Sequence, residues 1–232
     1  MKYDGGELAL FAQAHRWKAT LRRLIAPFLG DAVLEVGAGL GATTEALCGD
    51  AVRRWVCLEP DPAQTAEIAA KIACGTLPAC CRAMTGVLAN LPSEDLYDSL
   101  LYVDVLEHIA DDKAELAGAA HHLAPQGFLV VVAPAHQWLM SPFDRSVGHF
   151  RRYSSASLRA LTPPGLRLEH LYYIDSCGLL LSLGNRLLLR EAMPSLAQIL
   201  FWDRVVVPMS RLLDPLLGRR LGKTVIAVWR HP

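Results

Sequence analysis

The sequence predicts an α/β protein with a doubly wound, mostly parallel seven-stranded sheet. Three observations predict it. Short uninterrupted apolar runs alternate with helical patterns, a glycine cluster follows the first run, and 232 residues with 52% hydrophobic content are enough for one large core. Uninterrupted apolar runs are typical of strands buried on both faces, as in parallel sheets covered by helices. We therefore expect a single domain over residues 1–232, with its ligand at the carboxyl ends of the strands.

Seven apolar runs are predicted to form the strands, and turn residues end most of them. They cover, in chain order, residues 32–36, 55–58, about 80–84, 98–103, 128–133, 166–174 and 224–229. The sixth and seventh runs are separated by a long apolar helical stretch. This predicts a helical lid, residues 176–222, inserted between the last two strands.

Helical patterns lie between the runs. They cover residues 7–29, residues 43–48, a segment capped by Asp61, a segment from an Asp112–Glu115 capping box to about Leu123, and residues 155–161. The single domain thus has an N-terminal helix segment (1–30), a core (31–135), a loop placed to bind substrate (136–153) and the lid.

Charge and composition exclude several classes of function. Lysine plus arginine equals aspartate plus glutamate, 23 each, so we expect no nucleic-acid partner, which would favour a basic excess. The most apolar stretch, residues 178–189, is too short to span a bilayer, and the first residues do not resemble a signal peptide. None of the six cysteines forms a C-x-x-C pair, so we expect buried thiols and no metal. A cytoplasmic protein without a membrane partner is predicted.

The glycine cluster carries the functional signal. Gly37, Gly39 and Gly41 follow the first strand at alternate positions, and a helix follows them. Glycines permit a tight turn and a close backbone approach to a ligand at the N–H groups that begin the helix. Glu35 lies two residues before the first glycine, where it could receive a ligand ammonium. The spacing also satisfies the relaxed dinucleotide fingerprint, with Ala42 as its last member.

Further segments make the chain resemble the class I S-adenosylmethionine-dependent methyltransferases. The acidic G-x-G-x-G loop is followed by Glu59 at the end of the second strand, by Leu-Glu-His-Ile at 106–109, and by Leu-Ala-Pro-Gln-Gly at 123–127. The resemblance implies that Glu59 binds the ribose hydroxyls of S-adenosylmethionine. It assigns the cofactor to Glu35, Gly37, Ala38, Gly39, Gly41, Thr43, Glu59, Pro60, Gly86, Val87, Leu88 and Tyr102. The acid that commonly follows the third strand is missing, so adenine would rely on backbone and apolar contacts.

Catalytic candidates follow the later strands. Tyr102 and Asp104 end the fourth strand, His136 follows the fifth, and Tyr172 and Tyr173 lie in the sixth. In the loop 136–153, His136 and His149 could act as general bases, with Asp144 as orienting group and Arg151 or Arg152 as a carboxylate clamp. The alternative is a packed loop whose arginines pair locally.

The function that the resemblance implies is methyl transfer to a small molecule, in bacterial secondary metabolism. A second hypothesis is cyclisation of the cofactor itself, because the chain is similar in length, entry helix and aromatic lid to azetidine-2-carboxylic acid synthases. There Tyr102 and Asp104 would orient or deprotonate the amine, Tyr172, Tyr173 or Trp202 would form aromatic walls, methylthioadenosine would leave, and no second substrate would bind. A nicotinamide-dependent oxidoreductase and a non-catalytic protein are further alternatives. A homodimer through residues 176–222 is also expected.

Overall fold

A computed structural model describes residues 10–184 and 195–232. The first part of the predicted N-terminal helix and residues 185–194 of the predicted lid lie outside the described residues. All seven predicted strands are present, in the sheet order β3-β2-β1-β4-β5-β7-β6. They are β1 (Ala32–Val36), β2 (Arg54–Glu59), β3 (Cys81–Thr85), β4 (Tyr97–Val103), β5 (Leu123–Pro134), β6 (Arg167–Ile174) and β7 (Thr224–Arg230).

The sheet is parallel except at its seventh strand. β1 pairs in parallel with both β2 and β4, and β4 pairs in parallel with β5. β7 lies between β5 and β6 and is antiparallel to both. The strand order reverses between β1 and β4, which is where open α/β sheets bind their ligands. The prediction of a mostly parallel, doubly wound seven-stranded sheet is confirmed.

Helices cover both faces of the sheet. They are α1 (His15–Ile25), α2 (Ala42–Leu47), α3 (Pro62–Ala73), α4 (Asp112–His121), α5 (Pro142–Ser146), α6 (Ser155–Ala160), α7 (Ser176–Gly184), α8 (Leu196–Phe201) and α9 (Val207–Leu216). Alternate residues of the strands supply two separate cores: Leu34, Leu100 and Leu129 face one side, and Val33, Leu101 and Val130 face the other. Burial on both faces explains why these strands show continuous apolar runs and no alternation.

Three boundaries differ from the prediction. A turn at residues 12–14 interrupts the expected long N-terminal helix before α1 begins. The carboxylate that caps α4 belongs to Asp111, which accepts from the N–H of Ala114; Asp112 is buried instead and accepts from the Tyr153 hydroxyl. β5 begins at Leu123, because the Pro-Gln-Gly turn is an irregularity inside the strand.

The helical insertion, residues 176–222, lies between β6 and β7 as predicted. A π-helical turn at residues 202–206 joins α8 to α9, and the turn packs on α1 through Trp202 and Trp17, whose ring centroids are 5.2 Å apart. The insertion also leaves large apolar side chains exposed, most of all Leu212 (74%) and Leu216 (81%). Within the described ranges, no helix has the length and apolarity needed to cross a membrane. The predicted homodimer through this insertion stays a prediction.

Candidate functional site

The loop after β1 is built on left-handed backbone. Gly37, Gly39 and Gly41 have φ values of +69°, +56° and +73°, which side chains with a Cβ rarely adopt. A Cβ on Gly37 would also lie 2.6 Å from Cγ2 of Val105. The loop turns back on the neighbouring strand, because the N–H groups of Gly37 and Ala38 both donate to the Leu58 carbonyl. These contacts hold the loop over the carboxyl ends of β1 and β2.

Glu59 fastens this loop from the end of β2. One carboxylate oxygen accepts from the N–H of Gly39 at 2.8 Å, and the other accepts from the N–H of Asp61 at 3.0 Å. The side chain is buried. A carboxylate has about four acceptor sites, so two remain for further donors such as a pair of hydroxyl groups. Glu59 therefore both shapes the loop and offers an acceptor beside it.

Glu35 is buried beneath the loop. Its carboxyl group accepts from the Thr44 hydroxyl and, at 2.9 Å, from the Trp55 indole N–H. Burial raises the pKa of Glu35 to about 7. One carboxyl oxygen thus binds both Thr44 of α2 and Trp55 of β2. These two hydrogen bonds connect β1 to β2 and to the helix that follows the loop.

The other residues assigned to the cofactor lie at the same edge. Thr43 is half-buried in the first turn of α2, and Pro60 is exposed beside Glu59. After β3, Leu88 is buried, whereas Val87 is exposed and its N–H donates to the Asn90 side chain. Val87 therefore offers an apolar surface next to the Gly86 N–H, which donates to the Glu59 carbonyl. The structure brings these residues together around one crevice edge.

Tyr102 and Asp104 end β4 but lie in different environments. Tyr102 is fully buried, and its hydroxyl donates to Glu115 of α4 at 2.9 Å. These surroundings support neither the cofactor role nor the catalytic role predicted for Tyr102. Asp104 has left-handed backbone (φ +54°) and an exposed side chain, yet desolvation raises its pKa to about 6. Both observations fit a carboxyl group on the floor of a crevice, which solvent reaches but dense protein surrounds.

A cluster of acids and imidazoles lies beside Asp104. His149 of the loop 136–153 contacts Asp144 through Nδ1 at 2.9 Å, and its Nε2 lies 3.9 Å from Oε1 of Glu107. The ring of His149 stands perpendicular to the ring of His108, with centroids 4.5 Å apart. Glu107 is completely buried, and neither of its carboxyl oxygens has a hydrogen-bond partner among the described residues. The predicted pairing of His149 with Asp144 is present.

The arginines of this loop pair locally. Arg152 contacts Asp144 at 2.8 Å, and Arg151 contacts Asp112 at 2.6 Å. Because Asp144 accepts from His149, Arg152 and Ser141, its pKa lies well below the usual range despite burial. Arg151 therefore holds the loop against α4 and Arg152 stabilises the loop internally, and the packed-loop alternative describes both better than a carboxylate clamp does.

The remaining catalytic candidates, His136, Tyr172 and Tyr173, lie further along the edge, and two of them stack. The His136 ring lies parallel to the Tyr173 ring with centroids 5.0 Å apart, and Nε2 of His136 lies 3.0 Å from the Gly222 carbonyl. The Tyr173 hydroxyl accepts from the N–H of Ser155. Tyr172 packs under Arg219, and the Trp202 indole N–H donates to Asp175. These rings do not form one aromatic wall, because each is committed to a different neighbour.

Sequence reasoning missed Lys223 and the role of Glu107 as an unsatisfied acid. Nζ of Lys223 lies 5.1 Å from the ring centroid of Trp202, and burial lowers its pKa while Asp175 and Asp104 raise it. No motif could have identified Lys223, since it simply precedes the last strand. The Leu-Glu-His-Ile segment contains Glu107, but in the sequence this segment supports only the family resemblance.

Two further features lie at the opposite, amino edge of the sheet. The sulfur atoms of Cys48, Cys80 and Cys81 lie close together there, a cluster that their sequence spacing does not predict. A cavity of about 370 Å³ opens at that edge between Gly30, Asp98 and Gln126. Neither feature reaches the crevice described above.

The sheet order, the left-handed glycine loop and the acid at the end of β2 define a Rossmann-like class of ligand-binding enzyme fold. The chain belongs to the class I methyltransferase family: the model described as "Methyltransferase domain" matches residues 10–170. No curated protein sequence matches the chain.

Solved structures of low sequence identity share the fold. A methyltransferase in complex with the Haloferax volcanii Trm112 activator is 18% identical, with a TM-score of 0.67 over 99% of this chain and 95% of that chain. The N-methyltransferase NodS from Bradyrhizobium japonicum, bound to S-adenosyl-L-homocysteine, is 14% identical, with a TM-score of 0.60 over 95% and 88%. The [4+2]-cyclase SpnF is 17% identical, with a TM-score of 0.61 over 92% and 80%. One fold thus carries different reactions in these neighbours.

Proposed function

We propose that this protein binds S-adenosylmethionine in the crevice at the carboxyl ends of β1, β2 and β4 and transfers its methyl group to a small molecule. The observation that carries the proposal is the loop of three left-handed glycines that Glu59 fastens from the neighbouring strand. A left-handed glycine loop exposes backbone N–H groups at close range, and the spare acceptor sites of Glu59 suit the two ribose hydroxyls.

The acceptor would lie on the β4–β5 side of the crevice. Asp104 forms its floor, and the loop 136–153 folds over it through the ion pairs of Arg151 and Arg152. Methyl transfer requires an aligned nucleophile in a site shielded from water, and it does not require a covalent intermediate with the protein. A small acceptor matches the balanced charge of the chain. Cytoplasmic location and a place in bacterial secondary metabolism stay predictions.

Calorimetric titration with S-adenosylhomocysteine tests the cofactor. We expect binding by the wild type and at least about tenfold weaker binding by Glu59→Ala, because two charge-assisted hydrogen bonds are lost. Glu94→Ala is the matched control, since Glu94 is exposed and accepts a hydrogen bond from the Ser93 hydroxyl. Thermal unfolding of both variants shows whether weaker binding comes from the lost contacts or from loss of the folded structure. Equal affinities for Glu59→Ala and the wild type would remove the ribose assignment, and binding of NADH in preference would favour the oxidoreductase.

Incubating the protein with S-adenosylmethionine alone tests whether it cyclises the cofactor. Methylthioadenosine and a four-membered amino acid, well above the rate without protein, would establish it. We expect neither, because the hydroxyl of Tyr102 is bound to Glu115 and the ring of Trp202 is packed on α1. The same incubation with a panel of small hydroxyl and amine compounds should yield S-adenosylhomocysteine.

A further inference from the structure

The environment of Glu107 is unfavourable for a carboxyl group. Glu107 lies in the short helical turn Leu106–His108 after β4, it is 0% exposed, and both carboxyl oxygens are buried with no hydrogen-bond partner among the described residues. Burying a polar group without a partner costs free energy, and buried acids in proteins are nearly always paired or bound to a metal. An acceptor placed in this way indicates that a further group completes the site.

The neighbours of Glu107 are metal-binding side chains. One oxygen of Glu107, one ring nitrogen of His108 and one ring nitrogen of His149 all lie within 4.8 Å of one another. A single cation at about 2 Å from each ligand holds tetrahedral ligand atoms about 3.3 Å apart, so these three groups lie within about 1.5 Å of the required spacing. Two imidazoles and one carboxylate, with a further position for water or substrate, form a known arrangement of catalytic zinc sites. Glu107 and His108 are adjacent in the sequence, and His149 lies about 40 residues further along the chain.

Asp144 supports this arrangement through a hydrogen bond to the other ring nitrogen of His149. It contacts Nδ1 of His149 at 2.9 Å, so that Nε2 is the ring nitrogen directed at Glu107. Metal-binding histidines commonly donate their other ring N–H to a carboxylate in this way, which fixes the orientation of the ring. Arg152 and Ser141 hold Asp144 in turn. This support belongs to the loop 136–153, which therefore brings a preorganised imidazole to the turn after β4.

We propose that Glu107, His108 and His149 bind a divalent transition-metal ion of the zinc class, which holds an oxygen atom of the acceptor beside the cofactor. Two imidazole ligands favour zinc, cobalt or nickel over magnesium, which prefers oxygen ligands and retains its waters. Asp104 stands three residues from Glu107 on the crevice floor and adds negative charge beside the cation. The acceptor class inferred here, a hydroxylated small molecule, rests on the proposed methyltransferase function.

The cation would serve the transfer by making the acceptor oxygen nucleophilic. A bound divalent metal lowers the pKa of a coordinated hydroxyl group by several units. The hydroxyl releases its proton to solvent and its oxygen forms the new bond to the methyl carbon. The carbon–sulfur bond breaks with its electron pair left on sulfur, so the sulfonium becomes a neutral thioether. Charge and atoms balance without an oxidant or reductant.

Metal binding is measurable without any turnover. The full chain is stripped with a chelator and titrated with Co²⁺, whose visible absorption reports coordination by nitrogen and oxygen, and Zn²⁺ then competes for the site. We expect one equivalent bound by the wild type and about a hundredfold weaker binding by Glu107→Gln and His149→Ala. Asp144→Asn should weaken binding about tenfold, because it supports a ligand without touching the metal. His121→Ala, at an exposed position on α4, is the control and should bind as the wild type does.

Two results would overturn the site. They are a wild type that binds no cobalt above the level of Glu107→Gln, and a Glu107→Gln variant that retains the wild-type spectrum. The isosteric Glu107→Gln change guards against misfolding, and thermal unfolding with and without Zn²⁺ checks each variant. S-adenosylhomocysteine titrated into metal-free protein separates the two proposals. Cofactor binding without metal binding removes only the metal site, whereas metal binding without cofactor binding removes the methyltransferase proposal.

Discussion

The two sides of the sheet use buried acids differently. On the cofactor side, formed by β1 to β3 and their loops, Glu35 and Glu59 bind groups no more than 20 residues away, and both partner sets belong to adjoining strands and turns. On the insertion side, formed by β6, β7 and the helices between them, Asp203 accepts from the N–H groups of Arg16 and Trp17, which begin α1.

Other acids on the insertion side also bind groups that are distant in the sequence. Asp214 of α9 accepts from the N–H groups of Asp175 and Ser176, and Asp175 accepts from Trp202 and Ser210. Asp203 and Asp214 thus cap helices whose first residues are distant from them in the chain. A local sequence pattern therefore specifies the structure of the cofactor side, whereas the structure of the insertion side forms only once distant segments have packed. We expect the cofactor side to be less tolerant of single changes.

The largest expected effect is Gly37→Ala. Left-handed backbone costs a residue with a Cβ about 1–2 kcal/mol, and overlap with Val105 adds about as much again. The free energy of unfolding should fall by about 2–4 kcal/mol in urea denaturation. Gly75→Ala is the matched control, because Gly75 has φ +79° but nothing within 4 Å of an added Cβ. If the two variants lose the same stability, the close approach to Val105 does not matter.

Next in size is the pH dependence that Glu35 contributes. Its pKa is about 7 in the folded protein and near 4.5 when unfolded, so the folded state holds the proton more tightly. The contribution of Glu35 to stability is full below pH 4.5 and is lost as the pH rises to 7, by about 3 kcal/mol in total. Glu35→Gln cannot ionise, so the wild type should lose stability relative to this variant across that range. Parallel stability curves for the two proteins would contradict the burial of this carboxyl group.

On the insertion side, Asp214→Ala leaves two buried N–H groups without an acceptor. The free energy of unfolding should fall by about 2 kcal/mol, less than for Gly37→Ala. Asp50→Ala, at an exposed turn position, should change it by less than about 0.5 kcal/mol. A loss larger than that of Gly37→Ala would reverse the comparison between the two sides.

The smallest expected effect on the fold concerns the exposed leucines of the insertion. Leu212→Glu combined with Leu216→Glu should leave the unfolding midpoint unchanged, because both side chains are mostly in solvent. If the predicted homodimer forms through this surface, sedimentation velocity will show a dimer for the wild type and a monomer for this variant. Leu96→Glu, at an exposed position outside the insertion, controls for added charge. A wild-type monomer at all concentrations would end the homodimer prediction.

The sequence by itself determined the sheet, the glycine loop and the side of the sheet on which the site lies. These are local signals: an apolar run of five residues, a glycine that alone tolerates φ near +70°, an acid at a strand end. The pairing of His149 with Asp144 was also within reach, because five residues separate them in one loop.

Only the tertiary structure decided which side chains meet in the crevice. Tyr102 and Asp104 are two residues apart in sequence, yet one hydroxyl is buried against α4 and the other carboxyl group lies on the crevice floor. His149 reaches Glu107 because Arg151 pairs with Asp112 of α4 and folds the loop 136–153 back, while Arg152 pairs with Asp144 inside the loop. The physical reason is that hydrogen bonds and ion pairs between distant positions form only after the strands have set the loops side by side, and no sequence spacing records that arrangement.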